Sequence, residues 1–322
     1  MHTLLLMVLC AALHCASSDS HQDADIETLM DNVLVLRVPH SPGTRFHVPL
    51  ICGEAHQNQP VFWKKNGKIP RPPLEGNQVS VLVEEMDAGN YSCHLSPDGQ
   101  YLNHTLVLVR LNPDNMSVIL EESDSGEGHI QCSGHNYNGS FHCGWTRQPS
   151  RSRAAVLLVR AERNSVEIPC ELDADGSGVS CQDAKCIFEE ERHRISVTVY
   201  IHSVSRLEGY TTAFYLRDIV RPEHLPNLSY SEGGLFTWDN PDSWQKPCSF
   251  FSLEFEVLVV YHEETCDAAG KQHFTQEIEV NNYTVSVKNK KYVFCVRARD
   301  KHTQGPWGDW SHYVVKKHKT NH

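Results

Sequence analysis

Apolar residues recur at every second position in stretch after stretch of the chain: Val79, Val81 and Val83; Ile195, Val197, Val199 and Ile201; Leu253, Phe255, Val257, Val259 and Tyr261. A period of two lays such a set on one face of a strand, so each stretch predicts a strand with one side buried and the other wet. Clusters of Gly, Pro, Asn and Asp separate the stretches, and no run of helical period lasts beyond a few turns. The pattern predicts an all-β chain of packed sandwiches. Shifts of composition at residues 111–114 and 220–226 predict two linkers, and 322 residues suffice for three domains, over 19–110, 111–220 and 221–322.

The amino-terminal residues change the compartment. Residues 4–13 are an apolar run of about ten, half of what a membrane-spanning helix needs, and small residues follow at 16–18. They predict a signal peptide over residues 1–18 and a secreted, extracellular mature chain. No later run is long and apolar enough to cross a bilayer, and the polar, basic tail over residues 316–322 argues against a lipid-anchor signal, so no membrane anchor is expected. The net charge of −11 is spread over interspersed acidic and basic residues, which suits a soluble surface and argues against a nucleic-acid partner.

Of the 12 cysteines, Cys10 and Cys15 fall in the leader, and the remaining ten are expected to pair in an oxidising compartment. The same context makes acceptors of the Asn-X-Ser/Thr sequons at Asn103, Asn115, Asn138, Asn227 and Asn282. A sixth, Asn90, abuts a stretch expected to be a buried strand, which argues against its use.

The first domain holds Cys52, Trp63 eleven residues on, and Asp87-Ala-Gly-Asn-Tyr-Ser-Cys93. Tyr91, two before the second cysteine, and Trp63, placed to pack on a Cys52–Cys93 bridge, resemble the immunoglobulin sandwich. The 41 positions between the cysteines are too few for the extra strands of a variable-type domain. In the second domain Cys132 and Cys143 flank the turn Asn136-Tyr-Asn-Gly139, a spacing that suits two antiparallel strands tied by a local bridge. Cys170, Cys181 and Cys186 follow, an odd number, so two pair and one is left over. In the third domain Cys266 and Cys295 have the chance to meet, and Cys248 is expected to remain unpaired in a loop.

Near the carboxyl end, Arg297 and Arg299 alternate with Val296 and Ala298, and Trp307 and Trp310 stand three apart. On a strand the two arginines share a face, about 6.6 Å apart, with Val296 and Ala298 toward the core. Guanidinium planes between indole faces gain roughly 0.5–2 kcal/mol per contact, so the four predict an interleaved ladder on an outer sheet face. Trp307-Gly-Asp-Trp-Ser311 resembles the Trp-Ser-X-Trp-Ser signature of class I cytokine receptors, carried by a fibronectin type III module. Gly308 replaces the first serine, so one side-chain hydrogen bond of that pattern is expected to be missing.

An immunoglobulin-like sandwich followed by two fibronectin type III sandwiches resembles the receptor-like chains of the interleukin-12 family of heterodimeric cytokines. The resemblance spans nearly the whole mature chain and rests on Asp87–Cys93, Asn136-Tyr137 before Phe141-His-Cys143, Tyr210–Pro222, Pro241-Asp-Ser-Trp244 with Phe251-Ser-Leu253, and Val296-Arg-Ala-Arg-Asp300. It implies a Cys170–Cys181 bridge, with Cys186 as the sulfur bonded to a four-helix alpha-type subunit of the interleukin-12 or interleukin-23 kind. It implies a partner surface at the elbow between the second and third domains, at Tyr137, Glu190, Phe250, Asp300 and His302. Two carboxylates among rings suit a partner arginine, although His302 and Phe250 lack the hydroxyl usual there. A bridge expected late in the third domain has no cysteines here, at residues 285–287 or 313–315, and Cys248 beside the elbow is a candidate second link to a partner.

A cell-surface cytokine receptor is the further partner implied, and a homodimer is left open. The alternative is a soluble receptor alpha chain that captures a helical cytokine reversibly. An adhesion protein would leave the ladder without a role. Neither an esterase elbow nor a phosphate loop nor a His-Glu-X-X-His helix occurs, so catalytic residues, a metal and a cofactor are not expected.

Overall fold

The computed structural model describes residues 25–38, 45–84, 88–111, 118–123, 126, 128–184, 191–245, 248–249, 251–261, 265–268, 274–286 and 291–316. The expected leader, Asp87, Asn115, Cys186, Glu190 and Phe250 lie outside these residues. The described chain is strand almost throughout, the all-β class that the period of two predicts. It divides into two compact units, Met1–Asn112 and Pro113–His322.

The first unit contains β1 (Asp25–Met30), β2 (Val33–Val38), β3 (Arg45–Ile51), β4 (Phe62–Lys65), β5 (Gln78–Glu84), β6 (Gly89–His94) and β7 (Tyr101–Leu111). Strands β1, β2, β7, β6 and β4 pair in that order, all antiparallel except the parallel pair β2 and β7. β3 and β5 pair antiparallel. In β3, Phe46, Val48 and Leu50 are buried while the residues between them are exposed, so alternation alone selects the inner face. Cys52 and Cys93 are bridged, with Trp63 and Tyr91 in the same core. The Trp63 indole N–H donates to the Gly76 carbonyl at 3.0 Å, which satisfies the one polar atom of a ring 1 % exposed.

The second unit begins with β8 (Gln131–Ser133), β9 (Ser140–Gly144), β10 (Ala155–Arg163), β11 (Val166–Glu167), β12 (Cys170–Leu172), β13 (Gly178–Gln182), β14 (Ile195–Ser203) and β15 (Arg206–Phe214). One sheet runs β12-β13-β9-β8, and β15, β14, β10 and β11 pair in that order in another. A single helical turn, α1 (Leu216–Ile219), leads on to β16 (Ser229–Ser231), β17 (Leu235–Thr237), β18 (Leu253–Tyr261), β19 (Phe274–Ile278), β20 (Asn282–Thr284), β21 (Tyr292–Asp300) and β22 (Ser311–Val315). These make the sheets β16-β17-β20 and β19-β18-β21-β22. One continuous apolar core runs through both pairs of sheets, from Ile119 and Trp145 through Leu216 and Val220 to Trp238, Phe255 and Phe294.

Two short bridges staple directly opposed strand positions: Cys132 faces Cys143 across β8 and β9, and Cys170 faces Cys181 across β12 and β13. The segment entering this unit is held by side chains. The buried Glu208 carboxylate accepts the N–H groups of Val118 and Ile119, while the Tyr210 hydroxyl accepts that of Leu120 at 3.0 Å and donates to Glu208. Backbone donors that no ladder pairs are thereby satisfied.

The Cys52–Cys93 bridge closes a loop of 41 positions. Chain-entropy reasoning gives such a closure about 4 kcal/mol, so Cys52→Ala with Cys93→Ala is expected to destabilise the first unit by about that much in urea unfolding. A change below about 1 kcal/mol would show that the sheets hold without the bridge.

Candidate functional site, an elbow between two sandwiches

The turn from β8 to β9 carries Tyr137 into the junction with the second pair of sheets. Its ring meets Trp244 edge-on at 5.7 Å and Phe251 at 5.2 Å between centroids, and Phe251 lies 6.0 Å from the His302 ring. Trp244 is fixed in turn, donating its indole N–H to the Phe251 carbonyl at 2.9 Å. The Tyr137 N–H donates to the Ser249 hydroxyl at 3.0 Å. At the far end of the ring, the Tyr137 hydroxyl donates to Asp300 Oδ2 at 2.7 Å. Burial, and next the neighbouring Asp300 charge, push the Tyr137 phenol well above its ordinary 10.0, so it stays a donor.

Asp300 ends β21 and is 1 % exposed. Its Oδ1 accepts the N–H groups of His302 and Thr303, at 2.7 and 3.2 Å, which shapes the loop that follows. Both carboxylate oxygens are thus occupied within the chain. The acid thereby joins the two sandwiches. Of the five expected elbow residues the structure brings together Tyr137, Asp300 and an exposed His302; Glu190 and Phe250 lie outside the described residues.

The ladder sits on the opposite face of β21. Arg297 lies 4.2 Å from the Trp310 ring and 5.3 Å from Trp307, and Arg299 lies 4.2 Å from Trp307. Val296 and Ala298, between them, are buried. Directly across on β18 stand Glu256 and Glu254, ion-paired to Arg297 and Arg299, so each planar cation has a carboxylate at its edge and an indole on its face. Trp310 rests on a small second core of Leu258, Val260, Cys266 and Cys295, the last two bridged.

Gly308 has a positive role. A Cβ there would lie 2.1 Å from the Pro222 carbonyl oxygen, and the Gly308 N–H donates to the Ala298 carbonyl at 2.8 Å. The expected loss of a serine hydrogen bond is therefore not the main effect, because backbone from the inter-sandwich linker fills that place. Ser311 supplies the clamp: its hydroxyl accepts the Leu225 N–H at 2.7 Å and donates to the Leu225 carbonyl.

Cys248 is disulfide-bonded, which corrects the expectation of an unpaired sulfur in a loop. The sequons differ in openness. Asn138, Asn227 and Asn282 are exposed, whereas Asn103 is half-buried with its amide nitrogen donating to the Cys52 carbonyl at 3.0 Å. Asn90, whose use was doubted because it abuts a buried strand, is itself exposed on β6, because it falls on the outer phase of that strand. An open cleft of about 1060 Å³, lined by Glu121, His129, His142, Trp145, Asp218 and Arg221 among others, takes in none of the expected elbow residues. No group of three or more potential metal ligands occurs among the described residues.

The family described as "Cytokine interleukin-12p40 C-terminus" matches residues 127–203, a span that includes Tyr137 and all of β8 through β14. Interleukin-12 subunit beta of Marmota monax is 25% identical over 312 residues, covering 88% of this chain and 91% of its own. That of Papio anubis is 28% identical over 300 residues, covering 85% and 87%, and that of Felis catus 28% over 314, covering 88% and 91%. The chain is similar to interleukin-12 subunit beta along most of its length. The likeness to interleukin-12 subunit beta is to a cytokine chain and not to an enzyme.

Sequence reasoning passed over Ser249, Glu208 and Arg163 as site residues. Ser249 and Glu208 carry no signal, since a lone polar residue reads as surface until its backbone partner is known. Gly308 did carry one, as the position that departs from the receptor signature.

Two outcomes follow from this geometry. Gly308→Ser forces a side chain against a linker carbonyl and is expected to cost about 3 kcal/mol, read as a lowered urea midpoint with an unchanged slope; an unchanged midpoint would contradict the packing at Pro222. Tyr137 and Tyr210 are raised above 10.0 mainly by burial, and Tyr292 is pushed up to about 12 by the same cause. Above pH 10 the unfolded chain loses phenolic protons that the native chain keeps, so stability present below that pH falls as it climbs. Spectrophotometric titration is expected to show these phenols ionising only as the fold is lost; ionisation in chain that retains its native circular dichroism would contradict their burial.

Proposed function

We propose that this chain is the secreted receptor-like subunit of a heterodimeric cytokine, of the interleukin-12 and interleukin-23 type. It holds a four-helix alpha-type chain at the elbow and contributes to binding of a cell-surface receptor. The reading takes the chain as an immunoglobulin-like domain and two fibronectin type III domains, and takes the helical partner to dock around Tyr137 and His302. The observation that carries it is the locked Tyr137–Asp300 junction within a chain similar to interleukin-12 subunit beta on both sides of that junction. An elbow already fixed by buried hydrogen bonds has little freedom left to lose on association, so more of the contact energy appears as affinity.

The mode of closure separates this reading from a soluble receptor chain that captures a helical cytokine reversibly. Eight of the ten cysteines outside the expected leader form the four bridges, and Cys248 is bonded as well, so the bond made by Cys186 decides. A Cys186 link to the alpha chain turns a concentration-dependent contact into a permanent pair.

Co-expression with an interleukin-12 alpha-type chain is expected to yield a covalent heterodimer on non-reducing gels, which Cys186→Ser converts to separable chains. Peptide mapping that finds Cys186 joined to Cys248 in the complex would favour the reversible reading.

A further inference from the structure

The open cleft of about 1060 Å³ in the second unit lies over the unfinished edge of a sheet. That sheet runs β12-β13-β9-β8, so β8 is its last strand. All three residues of β8, Gln131, Cys132 and Ser133, line the cleft. In an antiparallel pair, residues that face each other at the shorter separation turn their N–H and C=O groups away from the partner strand. Cys132 and Cys143 face each other with their Cα atoms 4.0 Å apart, so the N–H and C=O of Cys132 point outward from β9. Gly134, two residues on, has the same phase and uses it. Its N–H donates to the Ile219 carbonyl at 3.1 Å, and its carbonyl accepts the Arg221 N–H at 2.7 Å, in parallel register.

Residues 219–221 therefore add to the edge of β8 at one position and go no further. The stop has a cause in α1. The N–H groups of Leu216 and Arg217 go to Glu191, and the Val220 N–H returns to the Leu216 carbonyl, so the chain that would run on beside Cys132 is wound into a helical turn. Among the described residues, no backbone group pairs with the N–H or C=O of Cys132. The rim is acidic, with Glu121, Glu122 and Asp218 set against a single guanidinium, that of Arg221. Asp218 has one oxygen engaged, accepting the Tyr215 N–H at 3.0 Å, whereas Glu121 and Glu122 meet no cation among the described residues.

We propose that the outer edge of β8 is a strand-addition site for an extended segment of a partner polypeptide that carries lysine or arginine. The guest backbone pairs with both the N–H and the C=O of Cys132, and its cationic side chains meet Glu121 and Glu122. Main-chain hydrogen bonds give such pairing its affinity, and complementary charge selects the guest. The Cys132–Cys143 bridge pins β8 to β9, so the edge is in place before the guest arrives and little order is lost in taking it up. The cleft includes none of the expected elbow residues, so the site stands apart from the reading of the elbow as a partner surface.

The test uses the full chain and a short capped synthetic peptide of alternating lysine and threonine, with amide hydrogen exchange followed residue by residue by NMR. At saturating peptide the Cys132 amide is expected to exchange at least about tenfold more slowly, equivalent to about 1.4 kcal/mol. Gln131 and Ser133, whose N–H groups already face β9, are expected to keep their rates. The same peptide N-methylated at every backbone nitrogen is expected to give no protection, and a version with glutamate in place of lysine is expected to bind at least about tenfold more weakly. Glu121→Lys with Glu122→Lys leaves the apolar core and the disulfides untouched, and is expected to weaken the lysine peptide by about the same factor at an unchanged melting temperature. Binding that leaves Cys132 unprotected, or that survives N-methylation, would mean adhesion to the acidic rim only and would overturn the proposal. Absence of binding would overturn it too, and equal binding of the lysine and glutamate peptides would overturn the choice of guest.

Discussion

The second unit depends on a carboxylate with no route to water. Asp300 is almost wholly buried where two sandwiches meet, and its charge is tolerable only because one hydroxyl and two backbone N–H groups point at it. A buried anion left without donors costs several kcal/mol, so the Tyr137 turn and the His302 loop have one low-energy arrangement with respect to each other. The apolar core that runs through both sandwiches supplies bulk stability but little direction, since apolar contacts tolerate small slides. The hydrogen-bonded acid removes that slack, and Trp244 and Phe251 seal it from solvent.

The outer face of the last sheet answers a different problem. Arg297, Arg299, Glu254 and Glu256 stand on the polar phase of two paired strands, where they would ordinarily be solvated singly. Stacked between Trp307 and Trp310 they become a layer, cation against ring and edge against carboxylate, which rests at one end on the Cys266–Cys295 bridge. The segment that provides the tryptophans, with the first residue of β22, also ties down the linker, through Gly308 against Pro222 and Ser311 against Leu225. The ladder and the elbow therefore hold the same junction from two sides.

Charge placement within the second unit follows one rule. Glu208, Glu191 and Asp300 are each buried, and each accepts backbone N–H groups from a segment that no sheet pairs: 118–119, 216–217 and 302–303. Sandwiches leave such donors wherever the chain enters, turns or crosses between sheets, and an acid on or beside a neighbouring strand satisfies two at a time.

Much of this was legible in the order of residues. Alternation at period two is a local property, so it reports which face of β5, β14 and β18 is buried whatever else the chain does, and it determined the all-β class. Arg297 and Arg299 share a face for the same reason, and the spacing of Trp307 and Trp310 makes the ladder readable in the sequence. Three matters were decided only by tertiary structure. Cys248 forms a disulfide, because bonding depends on which loops meet and not on spacing along the chain. Asp300 is buried against Tyr137, because its fate depends on a tyrosine 163 positions earlier. Arg163 joined two acids across three strands, an arrangement with no period to betray it. Local rules act over a few residues and leave a trace in sequence, whereas burial of a charge is settled by distant groups that arrive only when the chain is folded.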